Sequence, residues 1–231
     1  MTETKTCYMC DNIGTTREHI PPKCLFPEYS DNTIQGNNHR KNLITVPSCE
    51  EHNNAKSNND EYLRDILSMT LSANSTGLAI LKSKTSRSFN RSPKRIAELK
   101  KSAIPVILTN LESQKTMHVF GVKINRARLI NTLEMCFRGL YYHEYNEKFN
   151  GDIGIIPLFL IDDEDQEYNN KLNNYESLIH EFFLSVKQEY SDYSGENPDV
   201  FKYYFYKIDQ ENLILDVLFY QNLRIISKFK R

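Results

Sequence analysis

Cys7-Tyr-Met-Cys10 and Cys49-Glu-Glu-His52-Asn53-Asn-Ala-Lys56 are the stretches whose reading decides the fold. Each sets two metal-seeking side chains two residues apart, a spacing at which both partners in a tight turn or first helical turn reach one ion. Thirty-eight residues separate the two pairs. The set Cys7, Cys10, Cys49 and His52 closes a tetrahedral site with no open position, which predicts a structural zinc ion. Cys24 and His39 are rival ligands, although Cys24, in Pro-Pro-Lys-Cys-Leu-Phe, reads more simply as a small packed apolar residue.

Working outward, Thr15-Thr-Arg-Glu-His-Ile and Asn42-Leu-Ile-Thr-Val-Pro lie between the pairs and are short and β-prone, joined by a polar loop from Asp31 to Lys41. They predict a long-looped hairpin. Ser48 is placed to cap a following helix, with Glu50 and Glu51 in the first turn, where they favour the positive helix end, and with Asn53 and Lys56 further along. The order is strand, strand, helix, with zinc tying the hairpin entry to the helix start.

Taken in order, these motifs resemble the HNH endonucleases, a ββα-metal family, in the subgroup that carries zinc between two such ligand pairs. The resemblance covers about residues 7 to 60. It implies that His19 is the general base acting on the attacking water and that Glu18 helps hold a catalytic divalent ion. It further implies that Asn42 orients the base, that Asn53 is a second ligand of that ion, and that Lys56 is a basic residue facing nucleic acid. Such roles suit the residue types: imidazole accepts a proton near neutral pH, and oxygen ligands suit Mg²⁺ or Mn²⁺. The chain departs from many relatives in having Glu18 for Asp and His52 for Cys. DNA is the implied substrate, in bacterial restriction or phage defence, with a protein partner such as an ATPase or a second copy of the chain.

The whole-chain totals leave that site as the main chemistry. The chain has 231 residues, a formal net charge of −1 and a pI near 6.6, so any nucleic-acid contact must come from a local patch. The strongest such patch is Lys82 to Lys101, with Lys82, Lys84, Arg87, Arg91, Lys94 and Arg95; it reads equally as a phosphate-contacting surface or as a solvated helix or linker. No secretory signal or membrane-length apolar run is present, which places the protein in the cytoplasm with no membrane partner.

The division expected is an HNH unit with structural zinc over 1–75, a basic helix or linker over 76–102, and a C-terminal α+β domain over 103–231 serving targeting, regulation or assembly. Asp60 would cap a helix with Leu63, Ile66, Leu67 and Leu71 on one face. Beyond it the pattern predicts strands at Ile104–Leu108 and Met117–Ile124, a helix at Arg126–Phe149, a strand at Ile153–Ile161, and a helix at Tyr175–Tyr190. Two last strands, Phe201–Ile208 and Leu213–Phe219, precede an apolar, basic tail. The fold class is therefore α+β with an antiparallel sheet. The acidic turn at Asp162–Asp165 is a solvated connection before it is an ion site, and His118, His143 and His180 have no partner at ligand spacing. Tyr203, Tyr204 and Tyr206, alternating with Phe201 and Phe205, suit sheet packing, or else a stacking surface for bases or a protein interface. Two other functions fit the same motifs: a zinc-stabilised nucleic-acid-binding or scaffold module without cleavage, and an RNA nuclease.

Overall fold

The computed structural model describes residues 5–28, 38–54, 56–110, 113–162, 164–185 and 193–231. The chain opens on a knuckle in which Cys7 N–H bonds Asn12 O at 2.8 Å, Gly14 N–H bonds Lys5 O at 2.9 Å, and Thr6 bridges Ile13. Two short strands, β1 (Thr16–His19) and β2 (Thr45–Ser48), then pair antiparallel, with Glu18 opposite Val46 and His19 opposite Thr45. Tyr8 N–H reaches Pro47 O at 2.9 Å and fastens the knuckle to β2. Asn42 does not open that strand: it turns the chain with φ 52°, a left-handed conformation that Asn tolerates. Most of the expected hairpin loop lies outside the described residues.

Helix α1 (Glu50–Asn54) follows, with Glu50 and Glu51 in its first turn as expected. Ser48 is not its cap. It belongs to β2, and its hydroxyl donates to Cys49 O at 3.2 Å. Helix α2 (Ser57–Met69) begins ahead of Asp60, whose N–H bonds Lys56 O at 2.9 Å within the first turn. Its Leu63, Ile66 and Leu67 are buried, but Leu71 falls past the helix end and is exposed.

The basic stretch is helical apart from a break at Ser92. Asn74 caps α3 (Ser75–Ile80) by accepting the Thr76 and Gly77 N–H groups; a π-helical turn spans Leu81–Thr85 and leads into α4 (Ser86–Arg91). Pro93, which needs no N–H partner there, starts α5 (Pro93–Ser102). Strands β3 (Ala103–Thr109) and β4 (Thr116–Val122) form a separate two-stranded sheet.

Helix α6 (Arg126–Tyr145) is capped by Asn125, which accepts the Arg128 N–H at 2.9 Å. It ends before the expected Phe149 because Asn146 turns left-handed at φ 52° and closes on Tyr142 O, leaving Phe149 to pack in the core. β5 (Asp152–Pro157) stops at its proline, short of Ile161. α7 (Gln166–Ser185) starts well before Tyr175, because Asp165 accepts the Tyr168 N–H at 2.8 Å as a cap; residues 186–190 of the expected helix lie outside the described residues. Four strands complete the chain: β6 (Ser194–Asn197), β7 (Phe201–Lys207), β8 (Asn212–Phe219) and β9 (Leu223–Lys230). With β5 they make an antiparallel sheet in the order β5-β9-β8-β7-β6, so the segment expected as a tail is an interior strand.

One buried cluster joins these parts. Ile20, Leu25 and Phe26 from the hairpin region meet Leu63 and Leu67 of α2, Leu133, Phe137 and Leu140 of α6, and Tyr203, Phe219, Tyr220 and Phe229 of the large sheet. Each fully buried Leu or Phe contributes roughly 1.5–3 kcal/mol, so the hairpin draws much of its support from residues far along the chain. The aromatic run of β7 packs within this frame: Phe201 and Tyr203 stack at 5.3 Å, and Tyr203 and Tyr206 are buried. The protein is thus mixed α+β, built on a five-stranded antiparallel sheet. Among the described residues no helix is long and apolar enough to cross a membrane.

Candidate metal centre and the hairpin beside it

The knuckle brings Cys7 and Cys10 to the start of α1, which supplies Cys49 and His52. All four ligand atoms lie within 4.8 Å of one another. Cys10 Sγ is 3.8 Å from Cys49 Sγ, and His52 Nδ1 is 3.7, 3.5 and 3.2 Å from the sulfurs of Cys7, Cys10 and Cys49. With Zn–S near 2.3 Å and Zn–N near 2.05 Å, tetrahedral angles require about 3.8 Å between sulfurs and about 3.6 Å from sulfur to nitrogen. The donor set and its spacing therefore fit a metal ion such as zinc. At Cys7 burial pushes the thiol up, but backbone N–H groups of Met9, Cys49 and Cys10 outweigh it and bring the group down to about 6, favouring the thiolate a metal needs. Cys24 and His39 lie outside the cluster; Cys24 donates to Asp60 O at 3.3 Å, and burial pushes its thiol up to about 12. This is the only group of three or more such ligands among the described residues. The acidic turn is put to other use, with Glu164 3.0 Å from Lys123 and Asp165 capping α7.

Antiparallel pairing sorts the hairpin residues by face, since directly opposed residues share a face and neighbours along a strand alternate. Glu18 shares the inner face with Val46 and Ile20. It is only 5 % exposed. Burial pushes its carboxyl up to about 7; the Lys56 ammonium pulls against that rise, and Asp60 adds to it. Asp60 is in turn raised to about 6 by burial, again opposed by Lys56. Lys56 itself is 2 % exposed and donates to the Tyr8 hydroxyl at 2.6 Å, with its ammonium 5.2 Å from the ring centroid. The lysine expected to face nucleic acid is therefore an interior cation set among two carboxyls and a phenol, where any bare charge would be costly.

His19 lies on the other face, with Arg17, Thr45 and Pro47. Burial lowers its imidazole below the ordinary histidine range, and Lys23, Arg40 and Arg17 push it further down. It is a neutral proton acceptor at neutral pH. Asn42 donates to Glu196 Oε2 at 3.4 Å, at the edge of hydrogen-bond range, and so engages β6. The half-buried Asn53 continues α1 with its N–H on Cys49 O at 3.0 Å. Glu18 and His19, adjacent in sequence, are thus presented to opposite sides of the hairpin. Turned inward beside the Lys56 ammonium, Glu18 is not placed to ligate an ion that meets substrate beside His19.

The basic stretch separates in the same way. Lys84 is buried, with Nζ on Phe26 O at 2.9 Å and 3.3 Å from Glu28. Arg95 is engaged by Asp65, by Ser88 at 2.9 Å and by Glu61 at 3.4 Å. Lys82, Arg87, Arg91 and Lys94 are exposed. Sequence reasoning passed over Arg17, which the structure places on the His19 face with Nε and an Nη on Thr45 Oγ1 at 2.9 and 2.6 Å. Its signal was present: an arginine two residues before the histidine in a strand must share that histidine's face. Comparison of the chain with protein-family models, curated proteins and solved structures finds no significant match.

Proposed function

We propose that this protein is a metal-dependent endonuclease of the HNH kind that hydrolyses phosphodiester bonds in DNA. His19 is the general base, and Mg²⁺ or Mn²⁺ is the ion required with substrate. The observation that carries the proposal is the joining of a Cys₃His cluster, strand, strand and helix around a neutral, partly exposed histidine. In this reading the cluster holds zinc and fixes the hairpin on α1, while His19 accepts a proton from the attacking water. The divalent ion, when bound, would offset charge on the phosphate and leaving oxygen. Asn53 on α1 would be a ligand of that ion and Asn42 the orienter of the base, an orientation that would need Asn42 to leave Glu196, and Glu18 is not among the ligands in this reading. Bacterial restriction or phage defence, alongside an ATPase or a second copy of the chain, is the proposed setting.

Supercoiled plasmid incubated with Mg²⁺ or Mn²⁺ tests the reading. Nicking by the wild type should fall about 10²–10⁴-fold in His19→Ala, and undiminished nicking by the variant would refute the base. A second reading has its own support: the outward His19 and inward Glu18 suit a zinc-stabilised nucleic-acid-binding module without cleavage. Binding without cutting in either metal selects it, and cutting confined to RNA would make the enzyme an RNA nuclease.

A further inference from the structure

Two depressions flank the hairpin, and their charges are opposite. The groove over the metal cluster is lined by Asp11, Asn12, Ile13, Thr15, Cys49, Glu50 and Glu51, the wrong sign for a phosphate. The other is a half-open cleft of about 420 Å³ between the hairpin and the last turn of α6. Lys5, Arg17 and His143 line it with Thr16, Thr45 and Asn146, and no acidic side chain is among its walls. We propose that this cleft seats a phosphodiester group of the DNA backbone, with Arg17 as its principal contact and Lys5 and His143 as flanking donors.

Two observations support the assignment and one opposes it. Thr45 Oγ1 accepts two hydrogen bonds from Arg17, so the guanidinium is held in place with an Nη group to spare, which lowers the ordering cost of gripping an anion. The last turn of α6 brings the negative end of its dipole to the cleft, a repulsion that Arg17 and Lys5 must outweigh. Arg17 and His19 are two residues apart on one strand face, about 6.6–6.8 Å, so a backbone held by the first passes the second. Of the basic groups the sequence singled out, by contrast, Lys56 and Lys84 are buried. The cleft thus gives the proposed nuclease a substrate track. It rests on that reading for its purpose, but binding tests it separately from cleavage.

The experiment uses the full chain carrying His19→Ala, without added divalent ion, and a fluorescent DNA duplex titrated across a salt series. Arg17→Ala with Lys5→Ala should weaken binding at least ~10-fold at low salt and reduce the log–log salt slope by ~1–2. Lys228→Ala with Lys230→Ala, which remove the same two charges from exposed positions on β9, should leave both nearly unchanged. Equal binding by the cleft variant and its parent, or no binding by the parent, overturns the proposal. If the cleft variant loses DNA while the chain carrying His19 never cuts, the cleft stands and the nuclease reading falls. A loss seen with an RNA duplex and not with DNA also overturns it, by assigning the cleft to RNA.

Discussion

At the scale of single residues, the hairpin holds two titrating groups moved in opposite directions. His19 is lowered by burial and by three nearby cations, so cleavage limited by this base should rise with pH, reach half its maximum below the ordinary ~6.5, and be level by neutrality. Nicking rates from pH 5 to 8 check it, and a midpoint above 7 would sink it. Glu18 moves the other way. Its folded value of about 7 against the usual 4.5 means the folded chain holds an extra proton between those limits. The stability it brings is complete below about 4.5 and is lost as pH rises through 7, a slope worth at most on the order of 3 kcal/mol. Glu18→Gln should flatten that slope in urea melts at pH 5 and pH 8 without added divalent ion. An unchanged slope would show that Glu18 is not the group responsible. The motif residues were visible in sequence because their spacing is local. The burial of Lys56 was not, since it depends on Tyr8, 48 positions away.

Among elements, the joint between knuckle and α1 carries the most consequence. We expect one tightly held zinc ion per chain, and Cys49→Ser should lose it and free the hairpin from α1. Metal analysis with a thermal melt decides: wild type without zinc, or a variant that melts unchanged, would remove the structural role. A second joint lies where β5 begins. A methyl group at Gly151 would stand 2.1 Å from Lys230 O, a backbone atom of β9 that cannot swing aside. Gly151→Ala should therefore cost about 1–3 kcal/mol in urea unfolding, and a neutral result would mean the strands separate more readily than their packing suggests. The periodic signals for α2, α6, β7 and β8 located those elements well. The ends of α6 and β5 were missed because Asn146 and Pro157 stop them against an apolar pattern that runs on. β9 was missed because its Leu, Ile and Phe are interleaved with Arg and Lys, which read as a tail until two neighbouring strands bury one face.

For the molecule as a whole, the buried cluster crosses both boundaries suggested by composition. Ile20 and Leu25 pack with α6 residues, and the Tyr220 hydroxyl donates to Leu25 O at 2.9 Å. The hairpin, α6 and the large sheet should consequently unfold in one transition. Residues 1–102 expressed alone should lack fixed tertiary structure even with zinc supplied. Circular dichroism and amide NMR spectra of that piece test this, and a well-dispersed spectrum would establish an independent N-terminal domain. The α+β class and antiparallel sheet were legible from strand and helix periodicity. The single core was not, because contacts between distant segments leave no local trace.

The bond from Tyr220 to Leu25 also has a meaning in time. It spans 195 positions, which at ~5–20 residues per second is roughly 10–40 s of synthesis. Once His52 is made, 27 residues into that interval, the nascent hairpin has its three cysteines and histidine but not the aromatic wall that later backs it. Early capture of zinc would hold the hairpin together while that wall is still being made.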